Sequence, residues 1–94
     1  FLLNRSSDLY GWTQYTREFE MNLRRIRAQR GYSQERVAYD AGMSRLQYQR
    51  LEGGGSSKDR PANPTAKTLI ALATVLDVSI DELLPTPWPD LRAR

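Results

Sequence analysis

The sequence predicts an all-α domain of five helices, with an N-terminal arm before it and a short C-terminal tail after it. Apolar residues recur at spacings of three and four in successive segments, which is the period of one helix face. Serine or threonine precedes several of these segments, and glycine or proline follows them, as is typical of helix ends. No segment convincingly alternates apolar and polar residues as a half-buried strand does.

The first helix is predicted to begin at Thr16 and to end at Gly31. Its apolar face carries three residues at spacings of four and three: Phe19, Leu23 and Ile26. Arg27 and Arg30 fall in its last turns, where cations interact favourably with the helix dipole. Residues 1–15 are expected to form an arm or an extra helix, because Gly11 and a polar run interrupt the pattern.

Two short helices separated by a glycine turn are predicted next, at about residues 33–41 and 44–52. Gly42 ends the first of them, where a left-handed backbone conformation is favoured. Ser44 and Gln47 form a capping-box pattern that opens the second. The inward face of that helix is expected to carry Tyr48 and Leu51.

The rest of the chain predicts a loop, two further helices and a tail. The segment from Gly53 to Pro64 is rich in glycine and serine and contains two prolines, so it is expected to be a loop. A fourth helix follows from about Thr65 to Leu76. A second capping box at residues 79–82 opens a short fifth helix, which Pro85 ends. The domain is thus predicted to span residues 16–84, and residues 85–94 form the tail.

The composition excludes several kinds of chemistry. The 94 residues include no cysteine and no histidine, so the usual zinc and iron sites and the Ser-His and Cys-His catalytic pairs are not available. The triple glycine at residues 53–55 lacks the Lys-Ser/Thr partner of a phosphate-binding loop. We therefore predict no enzymatic activity, no metal and no cofactor. No apolar run approaches the roughly 20 residues that cross a bilayer, so we expect a cytoplasmic protein with no membrane partner.

Positive charge is concentrated in the middle of the chain. Between Arg24 and Arg60 nine Lys/Arg stand against four Asp/Glu, a net charge of +5, whereas each flanking segment is about −1. This distribution suits a polyanionic partner. From charge alone, a solvated basic surface without a partner is the alternative.

A pair of short helices joined by a glycine turn, in a small basic helical domain, is typical of a helix-turn-helix. Here it lies within two stretches, LRRIRAQRGYSQERVAYDAGMSRLQYQRLEGG and NPTAKTLIALATVLDVSIDELL. Together they resemble the lambda-repressor-like, or XRE, DNA-binding domain over about two thirds of the chain. The resemblance implies a sequence-specific double-stranded DNA-binding transcriptional regulator. We expect a bacterial or phage repressor that binds as a homodimer, on half-sites about one helical turn apart.

The resemblance also places the third helix in the DNA major groove, where each base pair shows a distinct pattern of donors and acceptors. It implies that four residues read bases: Arg45, Leu46, Gln47 and Arg50. Either arginine could pair with guanine, and Leu46 could touch a thymine methyl group. Gln47 could read adenine or bind phosphate. Solvent exposure alone is the alternative for the polar residues, and a core or dimer contact for Leu46.

Eight further residues receive roles, Ser33 and Ser44 from their hydroxyls and helix N-terminal N–H groups and the other six by resemblance. Six are candidates for DNA phosphate contacts: Ser33, Gln34, Ser44, Lys58, Arg60 and Asn63. Helix capping alone would explain the two serines, and a solvated loop would explain Lys58, Arg60 and Asn63, since this loop is longer than in the usual family pattern. Arg27 and Glu52 match a partly buried salt bridge of the family, and we interpret both as structural.

The sequence leaves several alternatives for the surface that binds a partner. A dimer interface is expected at the fifth helix and the tail, through Leu84, Trp88 and Leu91. The apolar N-terminal residues could pack at the same interface or contact DNA. This N-terminal set consists of Phe1, Leu2, Leu3, Leu9 and Trp12. Either set could instead cover the protein's own core. The alternative function is an antitoxin or other protein-interaction module with a secondary DNA-binding role. The start at Phe1 also suggests a piece of a longer protein.

Overall fold

The computed structural model describes the backbone of residues 2–53 and 62–92, and the side chains of residues 11–53 and 62–92. These residues form five α-helices and no strand: α1 (Leu2–Arg30), α2 (Gln34–Asp40), α3 (Arg45–Leu51), α4 (Ala66–Leu76) and α5 (Ile80–Leu83). The predicted all-α class is therefore confirmed. None of the described helices combines the length and the apolar character of a membrane span.

Helix α1 is longer than the sequence pattern predicts. It begins at Leu2 instead of Thr16 and continues through Gly11 without a break. An interior glycine costs only about 1 kcal/mol relative to alanine, whereas a proline would cost about 3 kcal/mol, and α1 contains no proline. Residues 2–15 therefore form the first half of α1 and are neither an arm nor a separate helix.

A single core joins all five helices. The apolar stripe predicted for α1 is buried in it, together with residues from each of the other helices. Its largest fully buried side chains are Tyr48, Leu23, Leu72, Leu76, Leu83 and Val37. Burial of each such aliphatic side chain contributes about 1.5–3 kcal/mol. The domain therefore rests mainly on this shared core and less on the stability of its short helices.

Four helices begin at a hydroxyl side chain that accepts a hydrogen bond from the first helical turn: Ser33, Ser44, Thr65 and Ser79. Both predicted capping boxes are complete, at the starts of α3 and α5. Between α2 and α3, Gly42 adopts a φ of +74°, which a side chain would strain. These local signals fix the tight turn that sets α3 against α2.

Helix α1 also holds the ends of two other helices. The amide of Asn22 donates to the carbonyls of Glu82 and Leu83, at 2.7 and 2.9 Å. The guanidinium of Arg30 donates to the carbonyls of Leu76 and Asp77, at 2.7 and 3.0 Å. Carbonyls at a helix C-terminus lack intrahelical partners, so both side chains satisfy groups that would otherwise need water.

Candidate nucleic-acid interface

Helix α3 presents a row of exposed side chains, which we call the α3 face. It consists of Arg45, Leu46, Gln47 and Arg50, whereas Tyr48 and Leu51 are buried on the other side of the helix. Leu46 and Arg50 are one turn apart and therefore neighbours on the helix surface. Leu46 is 52% exposed, which excludes the alternative that it packs in the core.

Both arginines of the α3 face extend without an internal partner among the described residues. The three ion pairs found there involve other cations: Arg27, Arg36 and Arg92. A guanidinium is a planar group with five donors, well suited to phosphate or to the edge of guanine. The α3 face thus offers two unengaged cations beside one exposed apolar side chain.

Gln47 has a structural role as well as an exposed position. Its Oε1 accepts from the backbone N–H of Ser44 at 3.0 Å, and its own backbone N–H donates to Ser44 Oγ at 3.1 Å. Bidentate recognition of adenine uses both the oxygen and the nitrogen of a glutamine amide. Reading adenine would therefore need a second hydrogen bond at the oxygen that already serves the cap, whereas a phosphate contact through Nε2 leaves that oxygen unchanged.

The cap at the start of α3 gives a stability prediction. Ser44→Ala should lower the free energy of unfolding by about 0.5–2 kcal/mol, because the N–H of Gln47 loses its acceptor. Ser44→Gly is the control, since glycine at this position costs only a few tenths of a kcal/mol. Urea denaturation without DNA measures both variants. Equal stability of wild type and Ser44→Ala would mean that the serine does not serve as a cap.

Ser33 and Gln34 are held from within the protein. Ser33 Oγ accepts from the N–H of Arg36 at 3.0 Å and so caps α2. Gln34 Nε2 donates to Glu52 at 2.9 Å, and Gln34 Oε1 accepts from Gln49 at 3.4 Å. Because both ends of its amide have internal partners, Gln34 ties α2 to α3. The sequence did not point to Gln49, since its partner is 15 residues away and no local pattern marks the contact.

The structure brings Arg27 and Glu52 together as a two-point ion pair between α1 and the end of α3. Arg27 Nε lies 2.6 Å from Glu52 Oε2, and Arg27 Nη2 lies 3.2 Å from Oε1. The Arg24 guanidinium, a contact not foreseen from the sequence, donates to the backbone carbonyl of Glu52 at 3.1 Å. Burial acts to raise the pKa of Glu52, but hydrogen bonds led by the one from Arg27 outweigh it, so the pKa lies below its usual value.

Tyr48 anchors α3 from its buried side. Its side chain is fully buried, and its hydroxyl forms no hydrogen bond of ordinary geometry within the described part of the chain. Burial, and then the neighbouring Glu52 carboxylate, raise the pKa of Tyr48. Tyr48 therefore belongs to the core, beside the ion pair, and does not contribute to the α3 face.

The candidates after α3 are placed only in part. Lys58 and Arg60 lie outside the described residues, and Asn63 is exposed just before α4.

Gly53 and Ala62, the described residues on either side of residues 54–61, both lie close to the side chain of Glu20 in α1. A Cβ on Gly53 would lie 2.7 Å from Glu20 Oε1, and the Ala62 backbone hydrogen-bonds the same carboxylate. Burial raises the pKa of Glu20 despite that bond.

The apolar residues expected at a dimer interface meet on one surface. Leu84, Trp88 and Leu91 line a single groove together with Trp12 of α1. Trp88 is 67% exposed and Leu91 is 58% exposed. Phe1 and the side chains of Leu2, Leu3 and Leu9 lie outside the described residues. The structure therefore brings the tail and part of the N-terminal set into one apolar surface, which α3 does not line.

Comparisons with known proteins cover the same region. A helix-turn-helix family model matches residues 23–83, which include the whole α3 face. The chain is 39% identical over 66 residues to the SPbeta prophage-derived uncharacterized HTH-type transcriptional regulator YonR of Bacillus subtilis strain 168. That alignment covers 70% of this chain and 56% of the relative, so the chain spans little more than half of the relative's length. No solved structure matches significantly.

Proposed function

The chain belongs to the XRE-type helix-turn-helix family, and on that premise we propose that it is a sequence-specific transcription regulator that binds double-stranded DNA. The observation that carries this proposal is the α3 face. Two arginines without an internal partner among the described residues stand there beside an exposed leucine, on a helix whose opposite side is buried in the core. A surface of this kind suits the major groove, where base edges offer both hydrogen-bonding groups and methyl groups.

In the proposed complex, α3 lies in the major groove with its N-terminal end toward the bases. Arg45 or Arg50 pairs with the O6 and N7 atoms of guanine, and Leu46 contacts a thymine methyl group. Gln47 contacts phosphate through Nε2, since its oxygen is part of the cap. Each arginine–guanine pair would contribute about 1–3 kcal/mol of discrimination against the wrong base.

Phosphate contacts would fix the position of the domain without reading sequence. We assign them to six residues around the α3 face: Ser33, Gln34, Ser44, Lys58, Arg60 and Asn63. Gln34 would use its backbone N–H, because both ends of its side-chain amide have internal partners. The contacts of Glu52 with Arg27 and Gln34 hold α1, α2 and α3 as one unit, which supports precise placement of the arginines.

We further propose a repressor that acts as a homodimer in the cytoplasm of a bacterium, on host or phage DNA. Two copies would place two α3 helices on half-sites about one helical turn apart. The prophage origin of the relative supports the bacterial or phage setting. The exposed sides of Trp88 and Leu91 are the candidate contact surface between copies.

The exposure of Trp88 and Leu91 also supports a second candidate function, an antitoxin or other protein-interaction module that binds DNA secondarily. In that case the tail would bind a protein partner. A gene for a small toxin-like protein next to this one would favour the second candidate. A transcription regulator needs no neighbouring gene of this kind.

Selection of bound duplexes from a random DNA pool tests the proposed function. Wild type should enrich a palindromic site, and Arg45→Ala and Arg50→Ala should each relax the preference at one position per half-site. Each variant should lose about 5-fold to 150-fold in affinity for the selected site, which corresponds to about 1–3 kcal/mol. Arg17→Ala is the control, because it removes the same charge from an exposed position of α1 outside the proposed DNA contacts.

Two outcomes would contradict the assignment. If Arg17→Ala lost as much DNA affinity as the α3 variants, the loss would be explained by the change in net charge and not by base contacts. Failure of wild type to enrich any sequence, even at low salt where phosphate attraction is strongest, would exclude base reading by the α3 face. The protein-interaction function would then be the better explanation.

A further inference from the structure

An apolar groove of about 430 Å³ lies between the middle of α1, the start of α4 and the C-terminal tail. Trp12 and Phe19 line it from α1 and Leu69 lines it from α4, while Trp88 and Leu91 form its edge from the tail. The tail passes close to α1 at Gly11, where an added Cβ would lie 3.6 Å from the Cβ of Pro89. The tail is therefore one side of the groove. Among the described residues, none of those proposed to contact DNA lines it.

The lining of the groove restricts the chemistry of an occupant. Among the described residues it contains no charged side chain, and the hydroxyl of Thr16 already donates to the carbonyl of Thr13 at 2.9 Å. A charged ligand would lose hydration there without gaining an oppositely charged side chain among the described residues. Four of the lining residues are aromatic, and the rings of Trp12 and Tyr15 stack with 6.0 Å between their centroids. Flat aromatic molecules pack well against such rings.

The size of the groove agrees with a small molecule and disfavours a second copy of the chain. Small-molecule sites usually have volumes of about 300–1,000 Å³ and mostly apolar walls. A second copy would have to insert an apolar projection. Apart from Trp88 and Leu91, which already form the edge, the large apolar side chains that the described residues expose lie on other surfaces: Met21, Tyr39, Leu46 and Ile70.

We propose that this groove is a binding site for a neutral, flat aromatic small molecule. The site is separate from the α3 face, and its occupation does not depend on the proposed DNA-binding function. A dimer formed through the outer sides of Trp88 and Leu91 would leave the interior of the groove available to the ligand.

The neutral aromatic fluorophore N-phenyl-1-naphthylamine is a suitable probe. Both tryptophans of the chain line the groove, so energy transfer from tryptophan to the probe reports binding at this place. Titration of the full chain without DNA should give saturable binding of one probe per chain. Leu69→Phe should weaken binding at least about tenfold, because the larger side chain fills the volume that the probe needs.

Ile70→Phe is the matched control. It makes nearly the same change at the next position of α4, where the side chain is 60% exposed and outside the groove. Circular dichroism checks that both variants fold. If Leu69→Phe does not fold, Leu91→Ala serves as the groove variant and Ile70→Ala as its control. A loss of probe affinity in the groove variant alone supports the proposal.

Three results would overturn it. The first is the absence of saturable binding, and the second is equal weakening in the groove variant and its control. The third is a probe affinity that falls as protein concentration rises, while sedimentation shows that a dimer forms. That result would assign the groove to a second copy. Because no DNA is present in these assays, none of these results bears on whether the α3 face reads bases.

Discussion

Replacing Glu52 with glutamine is expected to lower the free energy of unfolding by about 3 kcal/mol. Removal of one partner from a buried ion pair typically costs about 3–5 kcal/mol, because the remaining charge is left without compensation. Here the side chain of Glu52 is 3% exposed and that of Arg27 is 18% exposed. The partial exposure of Arg27, and the acceptor that glutamine keeps, place the expected loss at the lower end of that range.

Urea denaturation at neutral pH measures this loss, and Asp40→Asn is the matched control. Asp40 pairs with Arg36 at 3.7 Å on the protein surface, with side chains 43% and 59% exposed. A solvent-exposed pair contributes at most about 1 kcal/mol, so the control should lose far less stability than Glu52→Gln. If both variants lose the same small amount, the pair between α1 and α3 does not stabilise the fold as described.

The difference in stability between wild type and Glu52→Gln should also depend on pH. The pKa of Glu52 lies below its ordinary value of 4.5 in the folded state, so the ionised form stabilises the fold. That contribution is fully present above about pH 4.5 and is lost as the pH falls through the folded-state pKa. The difference in stability between wild type and Glu52→Gln should therefore shrink on acidification below pH 4.5. A constant difference would mean that the charge of Glu52 is not responsible.

Tyr48→Ala is the second substitution with a large expected effect. Truncation of a buried aromatic side chain costs about 3–5 kcal/mol, through lost apolar burial and the cavity that remains. Tyr48 is fully buried and is a core contact of α3, so the loss should fall on the element that we propose to read DNA. Affinity for the selected duplex should decrease even at temperatures where the variant still folds.

Tyr48→Phe separates the ring from the hydroxyl. The hydroxyl has no hydrogen bond of ordinary geometry within the described residues, so its removal should change the unfolding free energy by less than about 1 kcal/mol. Urea denaturation of both variants measures the difference. A loss in Tyr48→Phe as large as that in Tyr48→Ala would show that the hydroxyl, and not the packing of the ring, holds α3 in place.

The sequence predicts the parts of this fold that depend on near neighbours. The capping boxes at Ser44 and Ser79 and the left-handed turn at Gly42 each follow from a few adjacent residues, and the structure contains all three. The sequence pattern predicts the start of α1 too late, because Gly11 and the polar run from Asn4 to Asp8 indicate an arm, whereas a long helix can absorb one interior glycine and several polar residues.

Contacts between distant residues account for most of what the sequence does not predict. The bond from Gln49 to Gln34 and the donation from Arg30 to Leu76 depend on how the helices pack, and no spacing along the chain encodes them. Arg27 and Glu52 were paired only by resemblance to a family. The groove is a further example, because its lining comes from α1, from α4 and the residues just before it, and from the chain after α5.

The proximity of Gly53 and Ala62 at Glu20 has a consequence for the length of the segment between them. Gly53 and Ala62 both lie beside one carboxylate of α1, so the two ends of the intervening segment are close together. Closing a longer loop costs little, about 0.6 kcal/mol for each doubling of its length. Insertions between residues 53 and 62 should therefore cost little stability, separately from any effect on the phosphate contacts proposed for Lys58 and Arg60. The same place would accept an epitope or a label in an engineered version of the domain.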